Sequence, residues 1–256
     1  MNLPRMSKNA ARGASADALS ALYDRRSIRA YRPDPVPPEL IERILDAARQ
    51  SPSGTNTQPW HVLVVGGDAK RRLCDRVSRV RETEPAREAG NNLEGEYRYY
   101  PDPIVEPYLS RRRAVGWEMY RLLGIEKGDR AGSWAAAGRN YRFFDAPIGL
   151  VFTLERIMEK GSWIDLGIFL QSVMIAARHF GLDTCAQGAW ARYHDVLREE
   201  LGIPAGHVVV CGMALGYADA SAAVNTARAG RASLPEFTRF VGISPSQDFQ
   251  RCTKAR

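Results

Sequence analysis

The sequence predicts one domain of helices and short strands alternating around a single sheet. Three observations carry this. The chain has 256 residues, 45% of them apolar, enough for a large core without covalent staples. Three β-branched runs, "WHVLVVG", "APIGLVFTL" and "HVVVCGMALGYA", are separated by stretches of helical spacing. No repeat is visible, and no linker divides the chain.

Residues 1–14 contain Arg, Ser, Lys and Ala but no acid, and read as a disordered leader without the apolar core of a secretion signal. The domain then runs from 15 to 243, with 244–256 as a C-terminal tail. "SADALSALYD" spaces Leu19, Leu22 and Tyr23 along one side of a short helix. The prolines of "RPDPVPPEL" forbid helix until Pro38, which suits a first turn. From there "ELIERILDAARQ" puts Leu40, Ile41, Ile44, Leu45 and Ala48 on one face. "SPSGTNTQP" is a loop, and "WHVLVVG" a strand ended by two glycines.

Residues 80–146 read as an insertion of loops and two or three helices, rich in tyrosine and proline. "APIGLVFTL" resumes the sheet. In "GSWIDLGIFLQSVMIAARHFGL", Ser162 and Asp165 have the spacing of a capping box. Its apolar residues from Leu166 to Ile175 go nearly all round, predicting burial on every side, in a thick core or a subunit interface. "DTCAQGAW" continues as a strand or turn. "HDVLREELGI" is a helix closed by Gly202, and "HVVVCGMALGYA" is the last strand. The segment "NTARAGRASLPEFTRF" has little regular pattern, but its spaced arginines and aromatics suit packing on a neighbouring subunit.

Composition narrows the function. No apolar run approaches the roughly 20 residues of a membrane-spanning helix, so no membrane is expected. Cys74, Cys185, Cys211 and Cys252 form no C-x-x-C pair, which fits a reduced, cytoplasmic chain. His61, His179, His194 and His207 are as scattered, so no metal site is expected. The net charge is +7, and Arg supplies 31 of the 36 basic residues. No helix carries a one-sided basic stripe and no nucleic-acid-binding signature is present, so nucleic acid is not expected as a partner.

Four constellations could carry chemistry. Arg25, Arg26 and Arg29 surround Ser27; guanidinium forks and a hydroxyl suit a phosphate. In extended chain Ser27, Arg29 and Tyr31 face one way, with Ile28 and Ala30 facing the other. The competing reading is a helix end whose arginines neutralise the dipole. In "SPSGTNTQPW", Gly54 permits close backbone approach, Ser53, Thr55, Asn56 and Gln58 can hydrogen-bond a heterocycle, and Trp60 anchors the loop. An ordinary surface loop is the alternative. Gly188 in "TCAQGAW" lets main-chain N–H groups reach a ligand, unless the turn is merely a strand exit. Arg228 and Arg231 are either a second grip or solvated charges. No nucleophile elbow, zinc-protease helix or phosphate-binding glycine loop is present, so the chemistry points to an organic cofactor.

"RRSIRAY" with its proline turn, "AARQSPSGTNTQPWHVLVV", "GLDTCAQGAW" and the closing "N…R..R…L.EF..F" follow one another over residues 19–243. In that order they resemble the FMN-dependent nitroreductase family. The insertion and the long helix are similar to its nitrobenzoate and dinitroaniline-herbicide reductase branch. The resemblance implies an α+β nitroreductase-like fold, with a central mixed β-sheet flanked by helices, in a domain-interlocked homodimer with FMN at the interface. It implies that Arg25, Arg26, Ser27 and Arg29 hold the FMN phosphate, ribityl chain and pyrimidine edge, and that Arg231 and Arg228 complete the phosphate grip. Pro52, Ser53 and Gly54 of the partner subunit would meet the isoalloxazine, with Thr55 near the substrate and Asn56 and Gln58 bracing the loop. Ala186, Gln187 and Gly188 would lie along the ring, although several relatives carry a Glu in this segment. Tyr97, Tyr108 and Trp117, among other insertion aromatics, would wall the substrate slot.

The implied mechanism is ping-pong: NADPH or NADH reduces FMN, then a nitroaromatic or quinone-like acceptor takes the electrons. Arg29 would give electrostatic support, and no side chain is assigned as catalytic acid or base. Reductive dehalogenation of a halophenol, a non-catalytic flavin-binding protein and a basic nucleic-acid binder are the competing functions.

Overall fold

A computed structural model describes residues 17–88 and 95–247. The expected leader and residues 248–256 of the expected tail, Cys252 included, lie outside the described residues. The chain folds as α1 (Ala18–Asp24), α2 (Pro38–Ala48), β1 (His61–Val65), α3 (Gly67–Thr83), α4 (Tyr108–Leu122), α5 (Arg130–Gly138), β2 (Ile148–Glu155), α6 (Lys160–His179), β3 (Asp183–Gln187), α7 (His194–Leu201), β4 (His207–Gly216) and α8 (Leu234–Phe237).

Four strands form one sheet in the order β1-β2-β4-β3. The sheet is antiparallel at every strand pair, not mixed as the resemblance implied. Among the described residues the parallel pairing is an isolated bridge from Ser27 to Thr184. The sheet separates two cores. Leu150, Phe152, Leu154 and Met213 pack with Ile41 and Ile44 of α2 and with Leu166, Phe169 and Val173 of α6. Val151, Val209 and Ala214 pack with Leu73 and Val77 of α3 and with Leu197 of α7. Period-two alternation on β2 sends its odd and even residues to these opposite layers.

Two strand glycines serve the second core. Phe143 and Trp190 stack with ring centroids 4.3 Å apart. A Cβ on Gly149 would stand 2.5 Å from the Phe143 ring, and one on Gly212 would stand 2.2 Å from the Trp190 ring. The stacked pair therefore lies directly against the sheet backbone, where no larger residue leaves room.

Helix starts follow local chemistry, with two corrections. Asp17 caps α1 by accepting the Ser20 N–H at 2.8 Å, and Gly202 closes α7 at φ 65°. Helix α6, however, begins at Lys160 behind Glu159, ahead of the expected Ser162 cap. The Ser162 hydroxyl meets the Met158 sulfur, and Asp165 accepts the Gly54 N–H at 3.2 Å instead of turning back on its own helix. In the single chain Ile168 of α6 is 38% exposed, so the chain's own core does not bury the helix on every side and the subunit-interface alternative stands. The segment expected to have little regular pattern contains the short α8, with a Ser233 and Glu236 capping box.

Candidate functional site

The site begins where α1 ends. Arg25 closes the helix, and the chain then runs extended along the sheet edge. The Ile28 N–H donates to the Thr184 carbonyl at 3.1 Å, and the Arg32 N–H to the Tyr217 carbonyl at 2.9 Å. This lays residues 25–32 between β3 and the end of β4. Ile28 and Ala30 are buried as alternation requires, leaving Ser27 and Arg29 half-buried on the other side. Tyr31 departs from the expected pattern. It is buried too, in an antiparallel bridge to Ala218.

Arginines from two distant segments converge here. Burial, and next the charge of Arg231, holds the Arg25 guanidinium below its ordinary pKa. Burial and then Arg228 do the same to Arg26. Like charges are thus held together, with Asp183 and Asp24 pulling the Arg26 pKa the other way. The Nε of Arg26 is buried without a hydrogen-bond partner among the described residues. A dianionic phosphate, with several acceptor oxygens, satisfies both conditions. Arg228 and Arg231 also line a groove of about 380 Å³ between α4 and the segment after β4, together with Arg111 and Glu236.

Asn225, buried in the segment after β4, fixes this geometry. Its Oδ1 accepts the N–H groups of Arg29 and Ala30 at 2.8 and 3.2 Å. Its Nδ2 donates to the carbonyls of Ala30 and Asp219, both at 2.8 Å. The sequence showed this Asn only as a letter of the closing motif. Its role depends on a contact across 195 residues. Arg29 Nη1 donates to the Ser27 carbonyl at 3.2 Å, and its guanidinium lies 5.9 Å from the Phe144 ring centre. A cavity of about 210 Å³ opens there, lined by Arg29, Met119, Tyr120, Asn140, Phe144 and Val224 among others.

At the end of β3, Ala186 is exposed, while Gln187 turns inward and donates to the Asn140 carbonyl at 2.7 Å. Gln187 therefore offers a ligand its main chain rather than its side chain. Tyr99 lies over Gly188, whose absent Cβ would stand 2.8 Å from the ring. The loop after α2 carries Pro52, Ser53, Gly54 and Thr55 at or near the surface. Trp60 anchors its far end by stacking on Phe169 at 4.7 Å. Ser53 Oγ accepts the Gln58 N–H at 2.9 Å. Thr55, Asn56 and Gln58 all adopt positive φ, at 48°, 61° and 47°. Such backbone is costly for non-glycine residues and is concentrated at binding sites.

The insertion aromatics do not form one wall. Tyr97 points into the core, its hydroxyl donating to the Val210 carbonyl at 2.6 Å and its ring edge-on to Trp163. Tyr108 and Trp117 are exposed on α4, nine residues apart and so on opposite sides of the helix. Tyr99 and Tyr120, which reach Gly188 and the Arg29 cavity, are the better placed aromatics. Lys70 donates to the Ala146 carbonyl and serves the fold. The expectation about histidines also changes, because the sheet brings His61 and His207 together, ring centres 4.6 Å apart.

Comparison with known proteins accords with this geometry. The family model described as the Nitroreductase family matches residues 22–217. The chain is 43% identical over 220 residues to a chloronitrobenzene nitroreductase of Comamonas testosteroni, covering 86% of this chain and 95% of that protein. It is 38% identical over 227 residues to a 4-nitrobenzoate reductase of Pseudomonas putida, covering 89% and 96%. A crystal structure of the FMN and NADPH-dependent nitroreductase NfnB from Sphigopyxis sp. strain HMH superposes with a TM-score of 0.83 at 37% identity, covering 89% of this chain and all of that one. The chain belongs to the nitroreductase family.

Proposed function

We propose that this chain is an FMN-dependent NAD(P)H oxidoreductase that reduces nitroaromatic acceptors. One observation carries the reading: Arg25 beside Arg231 and Arg26 beside Arg228, with a buried guanidinium nitrogen left for an acceptor. The relatives named for chloronitrobenzene and 4-nitrobenzoate support the acceptor class. Bound FMN would supply the redox chemistry, taking two electrons from NADPH or NADH and delivering them to the acceptor. The chain's own residues bind and orient. Arg25, Arg26, Arg228 and Arg231 hold the phosphate, with the Ser27 hydroxyl beside them. The exposed end of β3 from Ala186 to Gly188 offers main-chain groups to the ring. Arg29, its backbone pinned by Asn225, presents positive charge where negative charge develops. Thr55 and Tyr99 bound the acceptor slot.

The reading includes a homodimer with shared sites. Leu19, Leu22 and Tyr23 of α1 and Ile164 and Ile168 of α6 are exposed apolar residues in the single chain. Asp165, which anchors Gly54, is 13 residues along α6 from Arg178, whose charge reaches Arg26. At 1.5 Å per residue the loop lies roughly 20 Å from its own arginine cluster. Pro52, Ser53 and Gly54 of the partner subunit therefore suit the flavin face better than the chain's own loop. A cytoplasmic setting rests on the unpaired spacing of the cysteines.

The visible spectrum of the purified protein tests this. A flavin band near about 450 nm should bleach with NADPH under anaerobic conditions and return on adding a nitroarene. A colourless protein overturns the reading, and a yellow one that NADPH leaves unbleached is a flavin-binding protein without this activity. Halide release from a halophenol with no nitroarene turnover would make it a dehalogenase.

A further inference from the structure

At the end of the sheet remote from the arginine cluster, three neighbouring strands bring metal-ligating side chains together. His61 opens β1, Glu155 closes β2 and His207 opens β4. Strand pairing sets His61 opposite Thr153 and Glu155 opposite His207. One donor atom from each of the three lies within 4.8 Å of the others', and His61 Nε2 is 3.9 Å from Glu155 Oε1. Strand β4 runs from this cluster to the segment beside residues 30–32, about 30 Å along a ten-residue strand, so the flavin site does not use it. We propose that His61, Glu155 and His207 bind one divalent transition-metal cation, Zn²⁺ being the best match to their chemistry.

The donor set decides the class of ion. Two imidazole nitrogens and one carboxylate oxygen suit Zn²⁺ and its first-row neighbours, whereas Mg²⁺ and Ca²⁺ prefer oxygen alone. Tetrahedral Zn²⁺ at its usual bond lengths sets donors about 3.4 Å apart. The present cluster must close by about an ångström, which side chains as free as His61 (47% exposed) and Glu155 (45%) accommodate by rotation.

His207 is already oriented. Its Nδ1 lies 3.0 Å from the hydroxyl of buried Thr153, so an Nδ1–H donated there leaves the Nε2 lone pair for a metal. Arg156 does not compete for Glu155, since its guanidinium engages the Ala205 carbonyl and Glu96. The bound cation would tie three strands together at the point where the loop after α2 enters β1.

Calorimetric titration of tag-free, FMN-loaded protein with ZnCl₂ in a non-chelating buffer tests the site. One Zn²⁺ per chain should bind, and Mg²⁺ should not. His61→Ala, Glu155→Gln and His207→Ala should each abolish or strongly weaken binding. Thr153→Val should weaken it about tenfold, and His179→Ala should leave it unchanged. In the unaltered protein, Zn²⁺ should shift the imidazole NMR signals of His61 and His207 and spare those of His179. Absence of saturable binding, binding indifferent to the first three substitutions, or shifts confined to other histidines would each overturn the proposal.

Discussion

The side-chain amide of Asn225 clasps both polar groups of Ala30, accepting its N–H and donating to its carbonyl. With the Arg29 N–H and the Asp219 carbonyl, that makes four hydrogen bonds from one buried side chain. Asn225→Ala strands the Arg29 and Ala30 N–H groups, while the Ala30 and Asp219 carbonyls keep the N–H groups of Asp219 and Ala222 as donors. It should cost about 3 kcal/mol, which lowers the Tm of a chain this size by roughly 6–12 °C. Thermal unfolding measures it, and a change of a degree or less would show that Asn225 does not hold the arginine strand.

Burial, and next the charge of Arg231, depresses the Arg25 pKa, so removing one of the two arginines relieves repulsion when no anion is present. Arg231→Ala and Arg25→Ala should each weaken FMN binding about 10- to 100-fold, the worth of a charge-assisted hydrogen bond. The cofactor-free protein should melt no lower than the parent. Flavin fluorescence titration and cofactor-free melting read the two effects separately. Unchanged affinity in both variants would remove the phosphate assignment.

Gly212 and Gly149 make room for the Trp190 and Phe143 rings. Gly212→Ala should destabilise by about 3 kcal/mol, at the upper end of overpacking costs, because the obstacle is a fully buried ring. Gly149→Ala should be similarly damaging and recover in part when combined with Phe143→Leu. Denaturant midpoints of the single and double variants give the comparison, and simple additivity would contradict the close approach.

Thr55 is β-branched yet holds a φ of 48°. Thr55→Gly should stabilise the fold by about 1 kcal/mol by removing left-handed strain, while lowering turnover of the acceptor. A lower Tm, or unchanged kcat/KM, would separate the strain from function.

Burial pushes the Cys74 thiol from its ordinary 9.0 to about 11 and Cys211 to about 12. The unfolded chain releases these protons first, so from about pH 9 upward the folded state binds more of them and stability falls as pH rises. Cys74→Val should flatten that decline between pH 9 and 11, read from urea midpoints. Near pH 8 a thiol reagent should label neither Cys74 nor Cys211 until the protein unfolds.

Legibility followed the range of the interactions. Strands β1, β2 and β4 were visible because their β-branched runs are local, and α2 because Pro38 and its apolar stripe are. The arginine cluster was readable through the order of its pieces. The α6 start was not, because Asp165 is drawn off to Gly54, 111 residues away. Tyr31 defied alternation because the end of β4 covers it, and Tyr97 left the expected substrate wall for the core. His61 and His207 meet only through sheet register, which no spacing along the chain encodes.

The phosphate grip proposed for the guanidiniums at 25, 26, 228 and 231 would also make the protein a gauge of vitamin supply. Ligand in hundredfold excess over its dissociation constant adds about 2.7 kcal/mol to a fold by mass action. When phosphorylated riboflavin is scarce, that margin disappears, and unfilled copies reach proteases sooner than filled ones. Starvation for the vitamin should therefore lower the abundance of this chain before it lowers its synthesis.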